Sequence, residues 1–218
     1  MEIIALITIF LIFSITIPIL CILKSENKPY YRPTGNYEEN RIYRILETIK
    51  DPEERILKNL YIPKENKPDT ETTEIDLLYI SKTGLYCIEV KDYSGWIFGN
   101  KDQTYWTVTY KSGKHIKMYN PIKQNENHIK YLSKIIYDVP IKNIVVLSDE
   151  SELKNITLDE NITHEHQFRN LINWHRTHEE IINAEKIEMI YQALLLLTRP
   201  TEETKQKHIE NIRKRKNS

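Results

Sequence analysis

The feature that most constrains the fold is a pair of apolar segments, EIDLLYI at residues 74–80 and GLYCIEV at residues 84–90. The joining stretch SKTG, residues 81–84, ends on the glycine that opens the second segment and is enough for a tight turn, so the two segments predict a β-hairpin. The chain has 218 residues, 40% of them apolar, which is sufficient for a sizeable core around this hairpin.

Hydrophobic periodicity predicts further elements on both sides of the hairpin. Helical segments are EENRIYRILETI, NPIKQNENHIKYLSKII, HQFRNLINWH and EEIINAEKIEMIYQALLLL, and the basic, polar end of the chain predicts a fraying helix. Strand segments are ILKNLYIP, WIFG, YWTVTY, KHIKMY and the apolar run IKNIVVLS, which is typical of a buried strand. The strongest helix start is at Asn120, a favourable N-cap residue that is followed by Pro121 at the first helical position.

An uncharged segment near the N-terminus, residues 3–23, predicts a transmembrane helix, because it is long enough to cross a hydrocarbon layer of ~30 Å. A cleaved signal peptide fits less well, since Glu2 is acidic where basic residues are expected and no small-residue cleavage site follows. Lys24, Lys28 and Arg32 follow the segment and no basic residue precedes it. We therefore expect a single-pass membrane protein whose soluble domain lies in the cytoplasm.

Charge and cysteine content exclude several classes of function. The chain has 31 basic and 31 acidic residues, so its bulk charge predicts neither nucleic-acid nor membrane binding, and an electrostatic partner must be sought in local clusters. Cys21 and Cys87 are the two cysteines; one lies in the apolar N-terminus and one in a core strand. This excludes a disulfide framework and a zinc site of four cysteines, and it fits a reducing compartment.

Opposite charges occur on one face of the second hairpin strand. Alternate residues of a strand face the same way, so Glu89 and Lys91 project together, and pairing with the first arm could bring Asp76 beside Glu89. Two such carboxylates repel each other unless a cation lies between them, and Mg²⁺ is suited to that position. A lysine there could orient or help deprotonate a water and stabilise charge on a phosphate, as phosphodiester hydrolysis requires. The alternative is a solvated strand face with an ion pair contributing ~0–1 kcal/mol.

The order of these residues resembles that of the nuclease-related domain (NERD) family, a branch of the restriction-endonuclease-like superfamily with a D…(D/E)xK signature. The matching text is GNYEENRI, EIDLLYISKTGLYCIEVKDYSG, YW and NPIKQNENHIKYL, within about residues 35–149. The resemblance implies an α/β fold with a restriction-endonuclease-like mixed central sheet flanked by helices. We expect this sheet to be preceded by one transmembrane helix and followed by C-terminal helices.

The resemblance also implies roles for individual residues. Asp76 and Glu89 would hold Mg²⁺ or Mn²⁺ together with the Val90 carbonyl, and Lys91 would act on the attacking water. Gln124, at the start of its helix, would orient a water or a phosphate.

Four further residues have assignments that are open or that depart from the family pattern. The early acid of the family aligns best with Glu39, but Glu38 lies one turn before Ile42 on the inward face, so either carboxylate could serve. His128 lies one turn after Gln124, and a packing or substrate-contact role is favoured over metal ligation. Asp92 occupies a position where the family often has asparagine, and its carboxylate either weakens phosphate binding or points away from the site.

Aromatic residues near the hairpin have two interpretations. Trp96, Tyr105 and Trp106 could stack on bases of a single-stranded nucleic acid, but packing in the core is the commoner role of such residues. The basic C-terminal tail could likewise contact nucleic acid or anionic lipid, although a solvated tail is the commoner explanation.

These predictions divide the chain into five parts: a membrane anchor (1–24), a linker (25–34), a nuclease-like domain (35–150), a C-terminal helical extension (151–198) and a basic tail (199–218). The function predicted from them is a membrane-anchored, metal-dependent nuclease that hydrolyses phosphodiester bonds in nucleic acid, with DNA as the expected substrate. Two alternatives are a catalytically inactive module of the same fold that binds nucleic acid or a protein at the membrane, and a membrane scaffold whose C-terminal helices dock a partner.

Overall fold

The predicted hairpin forms the centre of a five-stranded sheet in the computed structural model, which describes residues 37–64, 71–154, 161–198 and 201–216. The strands of this first sheet, in spatial order, are β1 (Arg55–Pro63), β2 (Thr72–Ser81), β3 (Gly84–Lys91), β7 (Ile141–Leu147) and β9 (Ile162–His164). The first three strands are antiparallel to one another, whereas β7 pairs with β3, and β9 with β7, in the parallel sense. The sheet is therefore mixed.

A second mixed sheet is formed by the short strands that follow the hairpin. Its spatial order is β6 (His115–Tyr119), β5 (Tyr105–Thr109), β4 (Gly95–Phe98) and β8 (Ser151–Lys154). Strand β8 pairs with β4 in the parallel sense, and the other pairs are antiparallel. Gly95 starts β4 with φ of 98°, and a Cβ atom there would lie 2.4 Å from the Thr109 carbonyl oxygen. Only glycine combines this backbone conformation with so close an approach.

Five α-helices complete the described part of the chain: α1 (Tyr37–Ile49), α2 (Pro121–Ile135), α3 (Glu165–Arg176), α4 (Ala184–Leu195) and α5 (Glu202–Lys216). The cap predicted for α2 is present, since the Asn120 side-chain oxygen accepts a hydrogen bond from the Ile122 N–H at 3.0 Å. Helix α4 starts five residues later than predicted. Asn183 caps it through the Lys186 N–H, while the N–H groups of the preceding two residues donate to the Lys82 carbonyl oxygen.

Helices cover both faces of the first sheet. Leu132 of α2 and Ile187 of α4 pack on one face, around Leu78. On the other face, α1 and α3 meet Tyr79 and Ile88 through a cluster that contains Ile42, Leu46, Phe168 and Ile172. The mixed α/β fold predicted from the sequence is confirmed, and it is consistent with a restriction-endonuclease-like fold. Helices α3 and α4, predicted as an extension after residue 150, pack on the same sheet as the rest.

The predicted membrane anchor and linker, residues 1–34, lie outside the described residues. Among the helices that the structure does describe, none is long and apolar enough to cross a membrane.

Candidate active site

The pairing of β1 and β2 is distorted at one facing position, occupied by Asn59 and Asp76. Residues on either side are in register, but these two are not paired, and Asn59 has φ of 51°, in the left-handed region that asparagine tolerates better than most residues. Leu57 and Leu60 consequently enter the same core cluster, although an undistorted strand would point them to opposite faces. The distortion redirects side chains in the middle of β1 and β2, where Asp76 lies.

Four of the predicted site residues lie together beside the C-terminal end of β3. The Val90 N–H donates to Asp76 Oδ2 at 2.8 Å, so the first carboxylate lies against the strand that carries the second. Lys91 Nζ is 2.6 Å from Glu89 Oε1 and donates to Gln124 Oε1 at 3.0 Å. Gln124 Nε2 donates to the same Glu89 oxygen at 2.6 Å. The carboxylate, the ammonium and the amide thus close a triangle of contacts beside Asp76.

Helix α2 supplies the amide of this triangle from its first turn. The side-chain amide of Asn125, buried beside Gln124, donates to the carbonyl oxygens of Cys87 and Ile144 at 2.7 and 3.2 Å. These bonds pin the start of α2 to β3 and β7, and they hold Gln124 over the end of β3. The sequence suggested that Gln124 orients a water or a phosphate, whereas the contacts described here join it to Glu89 and Lys91.

His128 contacts the second carboxylate from one turn further along α2. Its Nε2 lies 3.3 Å from Glu89 Oε2, and its Nδ1 lies 2.6 Å from Thr73 Oγ1. If the Thr73 hydroxyl donates to Nδ1, the neutral ring carries its proton on Nε2, on the side that faces Glu89. His128 is therefore placed to position a carboxylate, a role that its helical spacing from Gln124 did not predict.

The two candidates for the early acid lie in different surroundings. Glu38 is buried beside Arg41 and Glu165, with 3.4 Å between Arg41 Nη1 and Glu38 Oε1, and burial together with Glu38 raises the pKa of Glu165 to about 7. Glu39 faces the site instead: burial raises its pKa, and the charge of Glu89 contributes. Of the two candidates, Glu39 is the one whose charge acts on Asp76 and Glu89.

Burial and charge separate the pKa values of the two central carboxyl groups. Burial, followed by the charge of Glu89, raises the pKa of Asp76 well above its usual value. Burial also opposes ionisation of Glu89, but Lys91 and His128 outweigh it and hold the pKa of Glu89 below its usual value. Burial lowers the pKa of Lys91, yet the charges of Glu89 and Asp76 raise it more. The site therefore carries a crowded negative charge that one ammonium offsets only in part.

Lys58 adds a second ammonium that the sequence analysis missed. It is buried on β1, its Nζ donates to Asn40 Oδ1 at 2.5 Å, and it lies 5.1 Å from the centroid of the Tyr43 ring. Burial lowers its pKa, while the charges of Glu39 and Asp76 act in the opposite direction. A lysine within the apolar segment ILKNLYIP was the signal that could have identified it.

The donor set fits a small divalent cation bound mainly by two carboxylates. Asp76 and Glu89 supply the side-chain oxygens, and the Val90 carbonyl is one residue away on β3. Glu39 Oε2 and Glu89 Oε2 are buried without a hydrogen-bond partner among the described residues. Across the part of the chain that the structure describes, no group of three or more His, Cys, Asp or Glu side chains could hold a metal ion. Mg²⁺ commonly binds through one or two carboxylates and retains several waters, so this smaller set suits it.

Other positions discussed for the sequence differ from this network in their exposure. Asp92 is exposed, and of the three aromatic residues Trp106 is fully buried while Trp96 and Tyr105 are about half exposed, at 51% and 55%. The packing role is therefore correct for Trp106 alone.

Comparison with known proteins gives two matches. Residues 34–148, more than half of the chain, match the family model described as NERD, nuclease-related domain. An uncharacterized protein of Bacillus anthracis is 23% identical over 204 residues, and the alignment covers 93% of each chain. The segment that matches the family model contains Glu39, Asp76, Glu89, Lys91 and Gln124.

Proposed function

Because this chain belongs to the nuclease-related domain family, we propose that it is a metal-dependent nuclease that hydrolyses phosphodiester bonds in nucleic acid, with DNA as its substrate. The observation that carries the proposal is the triangle of Glu89, Lys91 and Gln124 beside Asp76, with its contacts of 2.6 to 3.0 Å. Carboxylates, a fixed ammonium and an amide beside the C-terminal end of β3 supply what hydrolysis of a phosphodiester needs.

Asp76, Glu89 and the Val90 carbonyl would hold Mg²⁺ or Mn²⁺. The chemistry such an ion supplies when bound is neutralisation of charge on the phosphate and a more acidic water. Lys91 contributes a positive charge at a defined place: an ammonium has three N–H donors, and the two described contacts, to Glu89 and Gln124, leave one for a phosphate or water oxygen. Gln124 donates to one oxygen of the Glu89 carboxylate, and His128 Nε2 lies 3.3 Å from the other, so the carboxylate is flanked on two sides.

The proposal includes attachment to the membrane through residues 3–23, with the soluble domain in the cytoplasm. Its support is the uncharged sequence of that segment and the basic residues Lys24, Lys28 and Arg32 that follow it. Extraction of the full chain from membranes tests this part: we expect detergent to release it and alkaline carbonate to leave it bound. Release by carbonate, or equal behaviour after deletion of residues 1–24, would contradict the anchor.

The nuclease proposal is tested by calorimetric titration of the full chain with Mg²⁺ and Mn²⁺, followed by incubation with plasmid and single-stranded DNA. We expect Asp76→Asn, Glu89→Gln and Lys91→Met to abolish cleavage, and Glu89→Gln to lose metal binding as well. Asp92→Asn is the matched control, because Asp92 is a neighbouring but exposed carboxylate that should leave both properties unchanged. Cleavage that persists in all three site variants would refute the assignment. A wild-type chain that neither binds metal nor cleaves would favour a binding module of the same fold.

A further inference from the structure

The second sheet has one face in the core and one face exposed. Side chains of β4, β5 and β6 alternate along each strand, and those that point inward pack against Val145 and Leu147 of β7. The inward residues are Ile97, Trp106, Val108 and Met118. This packing fixes the orientation of the sheet and leaves its opposite face at the surface.

The exposed face carries aromatic rings in register with one another. Tyr105 lies opposite Tyr119, and Trp96 lies opposite Thr109 on the same face. Trp96, Tyr105 and Tyr119 are 51%, 55% and 43% exposed, and the two tyrosine rings meet edge to face at 5.8 Å. We call Trp96, Tyr105 and Tyr119, with the intervening His115 and Lys117, the aromatic face. Single apolar residues scattered over a surface are normal, but three large exposed rings grouped on one small sheet indicate an interaction site.

The segment that builds this face is basic in a chain that is neutral overall. Residues 95–123 contain one acidic residue, Asp102, and five lysines, which gives a net charge of +4 against 0 for the whole chain. The lysines are Lys101, Lys111, Lys114, Lys117 and Lys123. Lys154 of the adjacent β8 lies 5.7 Å from the centroid of the Trp96 ring, but it is paired with Glu152, which lies opposite Trp96 in register, so this pair adds no net charge. Positive charge beside flat apolar rings complements a polyanion that carries exposed bases.

The aromatic face is joined to the candidate active site at both ends. Strand β4 begins four residues after Lys91, and β6 ends five residues before Gln124. The Asn120 side-chain amide donates to the carbonyl oxygens of Asn100 and Gln103, at 3.2 and 2.8 Å, and its oxygen caps α2. The loop between β4 and β5 and the helix that carries Gln124 are thus held together.

We propose that the aromatic face binds single-stranded nucleic acid, whose unpaired bases stack on Trp96 and on the pair Tyr105 and Tyr119 while the lysines contact its phosphates. This inference rests on the proposed function and names its substrate class. Stacking requires bases whose faces are free, which a duplex does not offer, so the rings select single strands. The net charge of +4 favours a nucleic acid over a protein partner, because protein-binding surfaces are depleted in lysine.

Fluorescence anisotropy of the full chain in EDTA, where cleavage is suppressed, tests the proposal. The probes are a labelled 15-nucleotide oligothymidylate and a labelled duplex of the same length. Loss of one stacked base corresponds to a change in Kd of about 5- to 150-fold, so we expect Trp96→Ala and Tyr105→Ala each to weaken single-strand binding at least about fivefold. Duplex binding should change less than twofold. Trp174→Ala is the matched control, since Trp174 is also 51% exposed but lies on α3.

A second measurement examines the charge. The double variant Lys114→Gln and Lys117→Gln should reduce the slope of log Kd against log salt by about 1.4 for single strands. Equal weakening by Trp174→Ala, equal losses for duplex and single strand, or no single-strand binding by the wild type would overturn the proposal; the last result would assign the face to a protein partner. Glu89→Gln separates the two proposals, because it should bind single strands as the wild type does while cleavage is lost.

Discussion

The opposing effects of two charge removals provide the sharpest test of the site. Lys91→Met removes the ammonium that lies 2.6 Å from Glu89 Oε1 and leaves a carboxylate that is 1% exposed without its cation. Removal of one partner from a buried ion pair costs about 3–5 kcal/mol. The Lys91 side chain is 17% exposed and His128 remains beside Glu89, so we expect the lower end, about 3 kcal/mol. For a chain of this size that loss lowers Tm by roughly 6–12 °C.

Asp76→Asn should act in the opposite direction on stability. Burial and the charge of Glu89 raise the pKa of Asp76, which means that its ionised form destabilises the folded state at neutral pH. An asparagine oxygen can still accept the Val90 hydrogen bond, so we expect Tm to stay unchanged or to rise, although cleavage is lost.

Thermal melts at pH 7 in EDTA measure both effects without stabilisation by metal. Lys82→Met is the control for loss of a lysine ion pair, because Lys82 and Glu53 are 2.9 Å apart but 24% and 49% exposed, and it should cost at most about 1 kcal/mol. A Lys91→Met variant as stable as the wild type, or an Asp76→Asn variant that is less stable, would refute this account of the site's electrostatics.

Three further predictions concern the scaffold. Burial, followed by the charge of Lys142, lowers the pKa of His175 to about 4, so the unfolded chain binds more protons between pH 6.5 and 4. Stability should therefore fall by up to about 3 kcal/mol as the pH decreases through this window, and His175→Gln should flatten the profile in urea titrations. Phe168→Ala should cost about 3–5 kcal/mol, because this ring is fully buried between α3 and the first sheet, and a loss below 1 kcal/mol would contradict its place in the core. Gly95→Ala should lower Tm and disturb the near-ultraviolet signal of Trp106, since an added Cβ meets the Thr109 carbonyl at 2.4 Å; a wild-type melt would argue against this tight pairing.

Elements with strong local signals were predictable from the sequence. The hairpin, the cap of α2 and the amphipathic α1 depend on residues within a few positions of one another, and the structure has each of them close to the predicted bounds. Strands β8 and β9 were not predicted, because they have four and three residues and form only by pairing with strands distant in sequence. Local periodicity has too few residues to register in such short strands.

The candidate site was likewise predictable from the sequence only in part. The sequence of one hairpin predicted three residues of the site, Asp76, Glu89 and Lys91. It could do so because side chains alternate along a strand, so the sequence indicates which of them share a face. Their surroundings required the tertiary structure: the distortion at Asn59 and the choice of Glu39 over Glu38 depend on how separate elements pack. Exposure of the aromatic face depends on packing in the same way. The sequence by itself determined which charged and polar side chains the hairpin presents on one face. Long-range packing decided which of these groups meet, since contact between distant residues leaves no periodic pattern in either segment.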